Sequence, residues 1–210
     1  PAYNPNDRRT VRAARLRNRA VTDVFEPGST MKPLALAAVL EAGKATPHTA
    51  VETHPGYMKV GRHLVKDHRN YGLLDVTGVL TKSSNVGVSK LALELEPEYL
   101  WHSFGRLGLG RPTDCHFPGE VAGQLPYFDG WSRFEQATHS FGYGLSVTAL
   151  QLAQAYAILA ADGIHRPVSL LKLDAAPAGE RIFTAETAKA LRRMMETVVS
   201  PEGTAQRATV

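Results

Sequence analysis

The chain is poor in cysteine and lacks any long hydrophobic run. Cys115 is the single cysteine among 210 residues, which excludes an internal disulfide framework and a cysteine-based zinc site. We expect Cys115 to be a small buried hydrophobic residue. No apolar run reaches the ~18 residues that span a bilayer. Any contact with a membrane would therefore depend on an anchor outside this chain.

The sequence also lacks an initiator methionine and a signal peptide. It begins PAYNPND at Pro1, which is typical of a loop inside a protein. We therefore expect the chain to be part of a longer polypeptide, so the missing signal does not indicate a compartment.

The composition is that of an ordinary globular domain, with 43% hydrophobic and 21% charged residues. The net charge is +4, and much of it lies in one stretch that no acid interrupts before Asp23. The basic residues of this stretch are Arg8, Arg9, Arg12, Arg15, Arg17 and Arg19. Nucleic-acid binding is one interpretation, but no aromatic residues interleave to stack bases. We expect a solvated face beside an anionic partner or surface, and no nucleic-acid partner.

Hydrophobic periodicity predicts a mostly helical chain with few strands. The predicted helices cover 29–40, 76–82, 86–95, 97–107, 148–163 and 184–199. Thr148 and Gln151 form a capping-box pattern at the start of the fifth. Short alternating segments predict a hairpin within 50–66, and 168–173 is a further candidate strand. Glycine and proline in 108–147 predict a long loop region.

The segment EPGSTMKP places Ser29 three residues before Lys32. Serine is a preferred helix N-cap, and Pro33 is tolerated only near the first turn of a helix. A simple cap would therefore account for Ser29, although it would not account for Lys32.

A catalytic interpretation accounts for both residues. Positions three apart lie on the same helix face, and the apolar surroundings of Lys32 disfavour its charged form. A neutral lysine can accept the proton of a serine nucleophile. The pattern S-x-x-K alone is weak evidence, because it occurs by chance in many chains.

A second polar segment raises the specificity. Ser83, Ser84 and Asn85 lie at the junction of two predicted helices. By itself S-S-N is again explained by a helix cap. A serine nucleophile, a lysine base and an S-x-N loop together are much less likely to occur by chance.

Three segments carry a resemblance to a known family. RNRAVTDVFEPGSTMKP, TGVLTKSSNVGVSKLAL and SFGYGLSVTALQLAQAYA resemble the transpeptidase domain of class B penicillin-binding proteins. The likeness is to the cell-division, penicillin-binding protein 3-like type, and it covers essentially the whole chain. It implies the α+β fold of the penicillin-recognising serine transpeptidases and β-lactamases.

The resemblance also implies roles for individual residues. Ser29 would attack the penultimate D-alanine of a D-Ala-D-Ala stem peptide, and Lys32 would take its proton. Ser83 would protonate the departing D-alanine, and Asn85 would hold Lys32 and a substrate amide. Substrate contacts are implied for Ser84, Phe141, Gly142, Tyr143 and Gly144. A turn before the Thr148 cap would explain these two glycines equally well.

Cofactors, partners and location follow from the same resemblance. It implies no metal or organic cofactor, and the eight histidines show no spacing typical of a metal site. The implied partners are peptidoglycan stem peptides, β-lactam antibiotics and cell-division proteins that include a membrane glycosyltransferase. The chain would belong to a periplasmic domain of a protein anchored in the inner membrane.

The sequence departs from the family in one respect. The family has a Lys-Thr/Ser-Gly motif on a strand beside the cleft, and no such tripeptide occurs here. We therefore expect 1–210 to be a partial transpeptidase domain that holds mainly its helical part. The anchor, the pedestal, the first sheet strands and the strands that bear the K-T-G motif would lie outside it.

Other functions fit the same serine and lysine. A β-lactamase, a D,D-carboxypeptidase and a penicillin-sensing receptor would all acylate, and a purely structural helical domain would not. No E-x-x-x-N segment follows SSN, which argues against a class A β-lactamase.

Overall fold

Helices dominate the computed structural model, which describes residues 17–208. The α-helices are α1 (Arg19–Thr22), α2 (Lys32–Glu41), α3 (Val76–Thr81), α4 (Asn85–Ala92), α5 (Pro97–Arg106), α6 (Arg133–Ser140), α7 (Ala149–Ala160) and α8 (Ala185–Glu196). The strands are β1 (Val24–Phe25), β2 (Ala50–Glu52), β3 (Tyr57–Val60), β4 (His63–Lys66), β5 (Leu73–Asp75), β6 (Val147–Thr148), β7 (Ile164–His165) and β8 (Glu180–Arg181). The predicted α+β class is confirmed.

Helix α2 forms the centre of the core, as its apolar sequence predicts. Every side chain from Lys32 to Val39 is buried, because α2 packs against α4, α5, α6 and α8. A helix that is apolar on all sides must be surrounded in this way. The residue at its root is therefore fixed by packing on several sides.

The entry to α2 differs from the prediction in one detail. The segment Gly28–Met31 is a 3-10 turn, and the α-helix begins only at Lys32. Pro33 lies in the first turn of the α-helix, where its missing N–H costs nothing. At the other end the positive φ of Gly43 stops the helix.

The strands pair only two by two within the described residues, and every pair is antiparallel. Strands β3 and β4 form the hairpin predicted within 50–66. Strand β5 returns beside β2 and leads directly into α3. The result is a small lobe that supports the segment between β4 and α4.

The other predicted helices are confirmed to within a few residues. Helix α7 begins at a capping box in which Thr148 and Gln151 each bond the backbone of the other. Thr184 caps α8, which continues as the 3-10 turn Thr197–Val199.

Two predictions are wrong in part or in whole. The region 108–147 is not all loop, since α6 lies within it and begins at a capping box formed by Ser132 and Glu135. The segment 168–173 is not a strand. Its leucines are exposed, Leu171 by 79%, and no strand within residues 17–208 pairs with the segment.

The basic stretch is described only from Arg17 onwards. Arg17 and Arg19 both pair with Asp23, at 2.5 and 2.7 Å, so their charge is balanced locally. Arg8, Arg9, Arg12 and Arg15 lie outside the described residues. Cys115 is buried and unpaired, as expected. Residues 17–208 contain no helix of the length and hydrophobicity needed to cross a membrane.

A buried glutamine joins α7 to the preceding long connection. The Gln151 amide nitrogen donates to the carbonyl oxygens of Gly108, Arg111 and Ala122, at 3.3, 2.7 and 2.7 Å. Its amide oxygen accepts the Thr148 N–H at 2.7 Å. One fully buried side chain thus satisfies backbone groups that water cannot reach.

We predict that Gln151→Leu lowers the free energy of unfolding by about 2–4 kcal/mol, because it leaves several buried backbone groups without partners. Urea denaturation measures the change. Ala153→Leu, on the exposed face of the same helix, is the control and should change stability by less than about 0.5 kcal/mol. Equal stability of the two variants would contradict a stabilising role for the Gln151 hydrogen bonds.

Candidate active site

The segment before α2 brings Ser29 to the surface of the core. Pro27 fixes the backbone ahead of the turn, and Gly28 takes a φ of +58°, which glycine adopts readily. Ser29 lies in the first turn of the 3-10 segment, where N–H groups have no partner within the helix. Its side chain caps neither the 3-10 turn nor α2. The N-cap interpretation of Ser29 is therefore wrong.

The Ser29 hydroxyl instead contacts the amine of Lys32. The distance from Lys32 Nζ to Ser29 Oγ is 3.1 Å. The same amine donates to the Ser83 hydroxyl at 2.7 Å and to the Ser83 carbonyl oxygen at 2.6 Å. The structure thus brings together three residues that are separated by up to 54 positions.

Burial changes the acid–base behaviour of this lysine. Lys32 is only 1% exposed, and loss of water lowers its pKa to about 8, while the charge of Asp67 acts in the opposite direction. Roughly a tenth of such a group is neutral at pH 7. The neutral amine has a lone pair that can accept the Ser29 proton, and the three acceptors hold the amine in place.

Ser83 contacts Lys32 through an unusual backbone conformation. Its φ of +56° lies in the left-handed region, which is uncommon for residues other than glycine and is often found at functional sites. In this conformation its carbonyl oxygen and its hydroxyl both face the same amine.

The two residues after Ser83 bond to Asp67 and Lys66, and neither forms a hydrogen bond with Lys32 within residues 17–208. Ser84 is fully buried, donates to Asp67 Oδ2 at 2.6 Å and accepts the Gly87 N–H at 2.8 Å. Because it caps α4, its hydroxyl is not available to substrate. Asn85 donates to the Lys66 carbonyl oxygen at 2.9 Å, and no hydrogen bond joins it to Lys32 in residues 17–208.

The run Phe141–Gly144 lies behind the serine turn and contacts it through the backbone. The Gly142 carbonyl oxygen accepts the Gly28 N–H at 3.1 Å. A Cβ atom at Gly142 would lie 2.2 Å from the Gly28 carbonyl oxygen. The Gly144 N–H donates to Glu26 at 2.8 Å. These contacts fix Glu26 and Gly28, the residues directly before Pro27 and Ser29.

The side chains of this run differ in exposure. Phe141 is buried in the core, whereas Tyr143 is 51% exposed. Tyr143 is therefore the member of the run whose side chain is available to a ligand.

A buried histidine supports the same run and was not singled out from the sequence. Nδ1 of His139 lies 2.9 Å from the Tyr143 carbonyl oxygen. Burial lowers the pKa of His139, which keeps the ring neutral, so Nδ1 can donate to that carbonyl. The ring also contacts Trp131 edge to face, with centroids 4.6 Å apart.

A cavity of about 310 Å³ opens beside the serine and the lysine. Its walls combine the polar trio with apolar side chains from α2, α3 and the end of α8. The lining residues are Ser29, Thr30, Lys32, Pro33, Leu80, Ser83, Tyr156, Met195, Val198, Val199 and Thr204.

Tyr156 is a lining residue that the sequence did not indicate. Its hydroxyl donates to the Thr30 carbonyl oxygen at 2.9 Å, and burial raises its pKa to about 12. A tyrosine on an apolar helix face gives no sequence signal of such a position. Across the described ranges, no three His, Cys, Asp or Glu side chains lie together as a metal site.

Comparison with known proteins agrees with the geometry. Residues 1–210 match the family described as the penicillin binding protein transpeptidase domain. The chain is 43% identical over 210 residues to the peptidoglycan D,D-transpeptidase FtsI of Escherichia coli (strain K12), covering all of this chain and 35% of that protein. It is 45% identical over 204 residues to the probable peptidoglycan D,D-transpeptidase PenA of Neisseria flavescens, covering 97% and 50%. The chain thus spans half or less of the length of these two relatives.

Solved structures show the same fold. The apo transpeptidase domain of Burkholderia pseudomallei penicillin-binding protein 3 superposes with a TM-score of 0.91 at 44% identity, covering 93% of this chain and 60% of that one. A peptidoglycan glycosyltransferase from Burkholderia ambifaria gives 0.90 at 45% identity, covering 92% and 62%. The predicted fold is thereby confirmed, and the chain belongs to the penicillin-binding protein transpeptidase domain family.

Proposed function

We propose that this chain is the acyl-transfer part of a D,D-transpeptidase that cross-links septal peptidoglycan. The observation that carries the proposal is the buried Lys32 amine 3.1 Å from the Ser29 hydroxyl. The relatives named as peptidoglycan D,D-transpeptidases support the substrate class.

The first step is acylation of Ser29. Neutral Lys32 accepts the hydroxyl proton while Ser29 Oγ attacks the carbonyl carbon of the penultimate D-alanine in a stem peptide. We assign stabilisation of the developing oxyanion to the Ser29 N–H, which lies in the first turn of the 3-10 segment. The tetrahedral intermediate then collapses as its bond to the nitrogen of the terminal D-alanine breaks.

The leaving nitrogen must receive a proton. Ser83 is placed for this transfer, because its hydroxyl lies 2.7 Å from the Lys32 amine that holds the proton. Ser83 can pass its own proton to the leaving amine and recover one from Lys32. This relay releases neutral D-alanine amine and returns Lys32 to its basic form.

In the second step an amine of a neighbouring stem peptide attacks the acyl carbon and forms the cross-link. Lys32 accepts the proton of that amine and returns it to Ser29 Oγ as the ester bond breaks, which frees Ser29. A β-lactam follows only the first step, because its opened ring stays attached and the acyl-enzyme clears slowly. Exposed Tyr143, at the end of the run that supports the serine turn, is a further candidate for contact with either ligand.

The remaining parts of the proposal concern the cellular setting. We place the chain in the periplasm, in a protein anchored in the inner membrane, where it meets peptidoglycan and β-lactams. Its protein partners would be members of the division complex, including a membrane glycosyltransferase.

Ser29→Ala should abolish covalent labelling by a fluorescent penicillin and leave the melting temperature nearly unchanged, because the serine caps no helix and the Lys32 amine keeps both acceptors of Ser83. Labelling is followed on denaturing gels. Ser103→Ala, a serine remote from the cavity, is the control and should label like the wild-type protein. Persistent labelling of Ser29→Ala would rule out the proposed nucleophile.

Lys32→Ala should slow acylation by about 10²–10⁴-fold, because it removes the general base. In the wild-type protein, the acylation rate constant should rise about tenfold per pH unit and level off above pH 8, as Lys32 loses its proton. Stopped-flow measurement with a chromogenic cephalosporin gives the profile. A rate constant that is independent of pH between 6 and about 9 would argue against Lys32 as the base.

Gly142→Ala should slow acylation at least about tenfold, because the added methyl group displaces Gly28 and with it the serine turn. The positive φ of Gly142, +85°, adds backbone strain. Gly105→Ala is the matched control, since a methyl group at Gly105 meets nothing within 4 Å. If both variants acylate at the wild-type rate, the run does not position the nucleophile.

A further inference from the structure

One carboxylate near the site is not explained by the roles above. Asp67 lies in the segment between β4 and β5, and it precedes the Ser83–Asn85 loop in the chain. Its Oδ2 accepts the Ser84 hydroxyl at 2.6 Å, and its Oδ1 accepts the Val86 N–H at 2.9 Å. Both oxygens are thus committed to the first turn of α4, directly after Ser83.

The position of Asp67 is itself fixed. Its own N–H donates to the Gly56 carbonyl oxygen at 2.8 Å, which attaches the segment to the turn before β3. Ser84 continues the network, because it accepts the Gly87 N–H while donating to Asp67. A carboxylate at a helix N-terminus interacts favourably with the free N–H groups and the helix dipole, which adds to the hold on the Asp67 side chain.

This network lies one residue from the groups that bind the lysine. Ser83 turns its carbonyl oxygen and hydroxyl to Lys32 in a strained conformation, and such a conformation persists only where its surroundings hold it. The link from Ser84 to Asp67 fixes the residue that follows Ser83.

We propose that Asp67 is a positioning residue for acylation, which holds the Ser83–Asn85 loop around Lys32 and whose negative charge stabilises the Lys32 ammonium. This inference rests on the function proposed above. It adds a residue that touches neither substrate nor nucleophile.

The other charged and titratable groups around the lysine do not take this part. Lys82, directly before Ser83, pairs with Glu202 at 3.2 Å. Tyr156, on α7, stays neutral, because burial raises its pKa to about 12. Lys66 and His68, which flank Asp67, are exposed and carry no negative charge.

The electrostatic part has a definite sign. Burial lowers the pKa of Lys32 and the charge of Asp67 raises it. Removing that charge should therefore lower the pH at which Lys32 loses its proton. A loop defect that withdraws the Ser83 acceptors also destabilises the ammonium. The effect of the charge is therefore the part of the shift that exceeds the one caused by breaking the network alone.

The test compares Asp67→Asn with Ser84→Ala in the intact protein. The first variant removes the charge and keeps the shape, whereas the second breaks the same network and keeps the charge. The pH titration of Lys32 is followed by NMR through the Cε resonance of isotope-labelled lysine, assigned by its loss in Lys32→Arg. The acylation rate constant is measured in parallel over the same pH range.

We expect the Lys32 midpoint in Asp67→Asn to fall by at least about 0.5 pH unit. In Ser84→Ala, which keeps the Asp67 charge, the midpoint should fall by clearly less than in Asp67→Asn, while acylation slows several-fold. Asp67→Ser serves as a second uncharged variant if Asp67→Asn does not fold. An unchanged midpoint in the uncharged variant, or an equal shift in Ser84→Ala, would overturn the inference.

The titration separates this inference from the proposed function, because it needs no acylation. A shifted midpoint in a protein that never labels with penicillin would support the electrostatic role of Asp67 and refute the transpeptidase. Normal penicillin labelling with an unshifted Lys32 midpoint would support the transpeptidase and refute the electrostatic role of Asp67.

Discussion

The site depends on one buried amine. Lys32 is at the root of a helix that is enclosed on all sides, and a buried ammonium group is costly unless it is hydrogen bonded. Ser29 and Ser83 provide the three acceptors that compensate for the lost water. The same contacts place both hydroxyls where a neutral lysine can move their protons. Stability of the buried group and readiness for acid–base chemistry therefore arise from one set of contacts.

The rest of the fold keeps those acceptors in place. The serine turn is held from behind by Gly142 and Gly144, and their run is held by the neutral ring of His139. On the other side, Asp67 and Ser84 hold the loop that carries Ser83. These supports come from α6, from the turn that follows it and from the small β lobe. Parts of the chain that are distant in sequence therefore hold Ser29 and Ser83 in place.

Sequence reasoning succeeded where the chemistry is local. The spacing of Ser29 and Lys32 lies within one helical turn, and the apolar run after Lys32 requires burial, so their pairing could be predicted. The capping box at Thr148 and the stop at Gly43 are likewise local signals. Helix α6 was missed although Ser132 and Glu135 form the same kind of box, because the surrounding glycines and prolines favoured a loop.

The remaining errors concern direction and distance. Adjacent Ser83 and Ser84 have different partners, Lys32 and Asp67. Ser83 also has a positive φ, and the letters S-S reveal neither feature. The contact of Asp67 with Ser84 spans 17 positions, and that of Tyr156 with Thr30 spans 126. Such pairs are set by how the elements pack, so no local pattern could indicate them.

The proposed mechanism requires Ser29 to carry the acyl group. Mass spectrometry of the intact protein after incubation with a penicillin, followed by peptide mapping, identifies the acylated residue. We expect a single stoichiometric adduct on the peptide that contains Ser29. An adduct on another residue, or none on a folded protein, would contradict that mechanism.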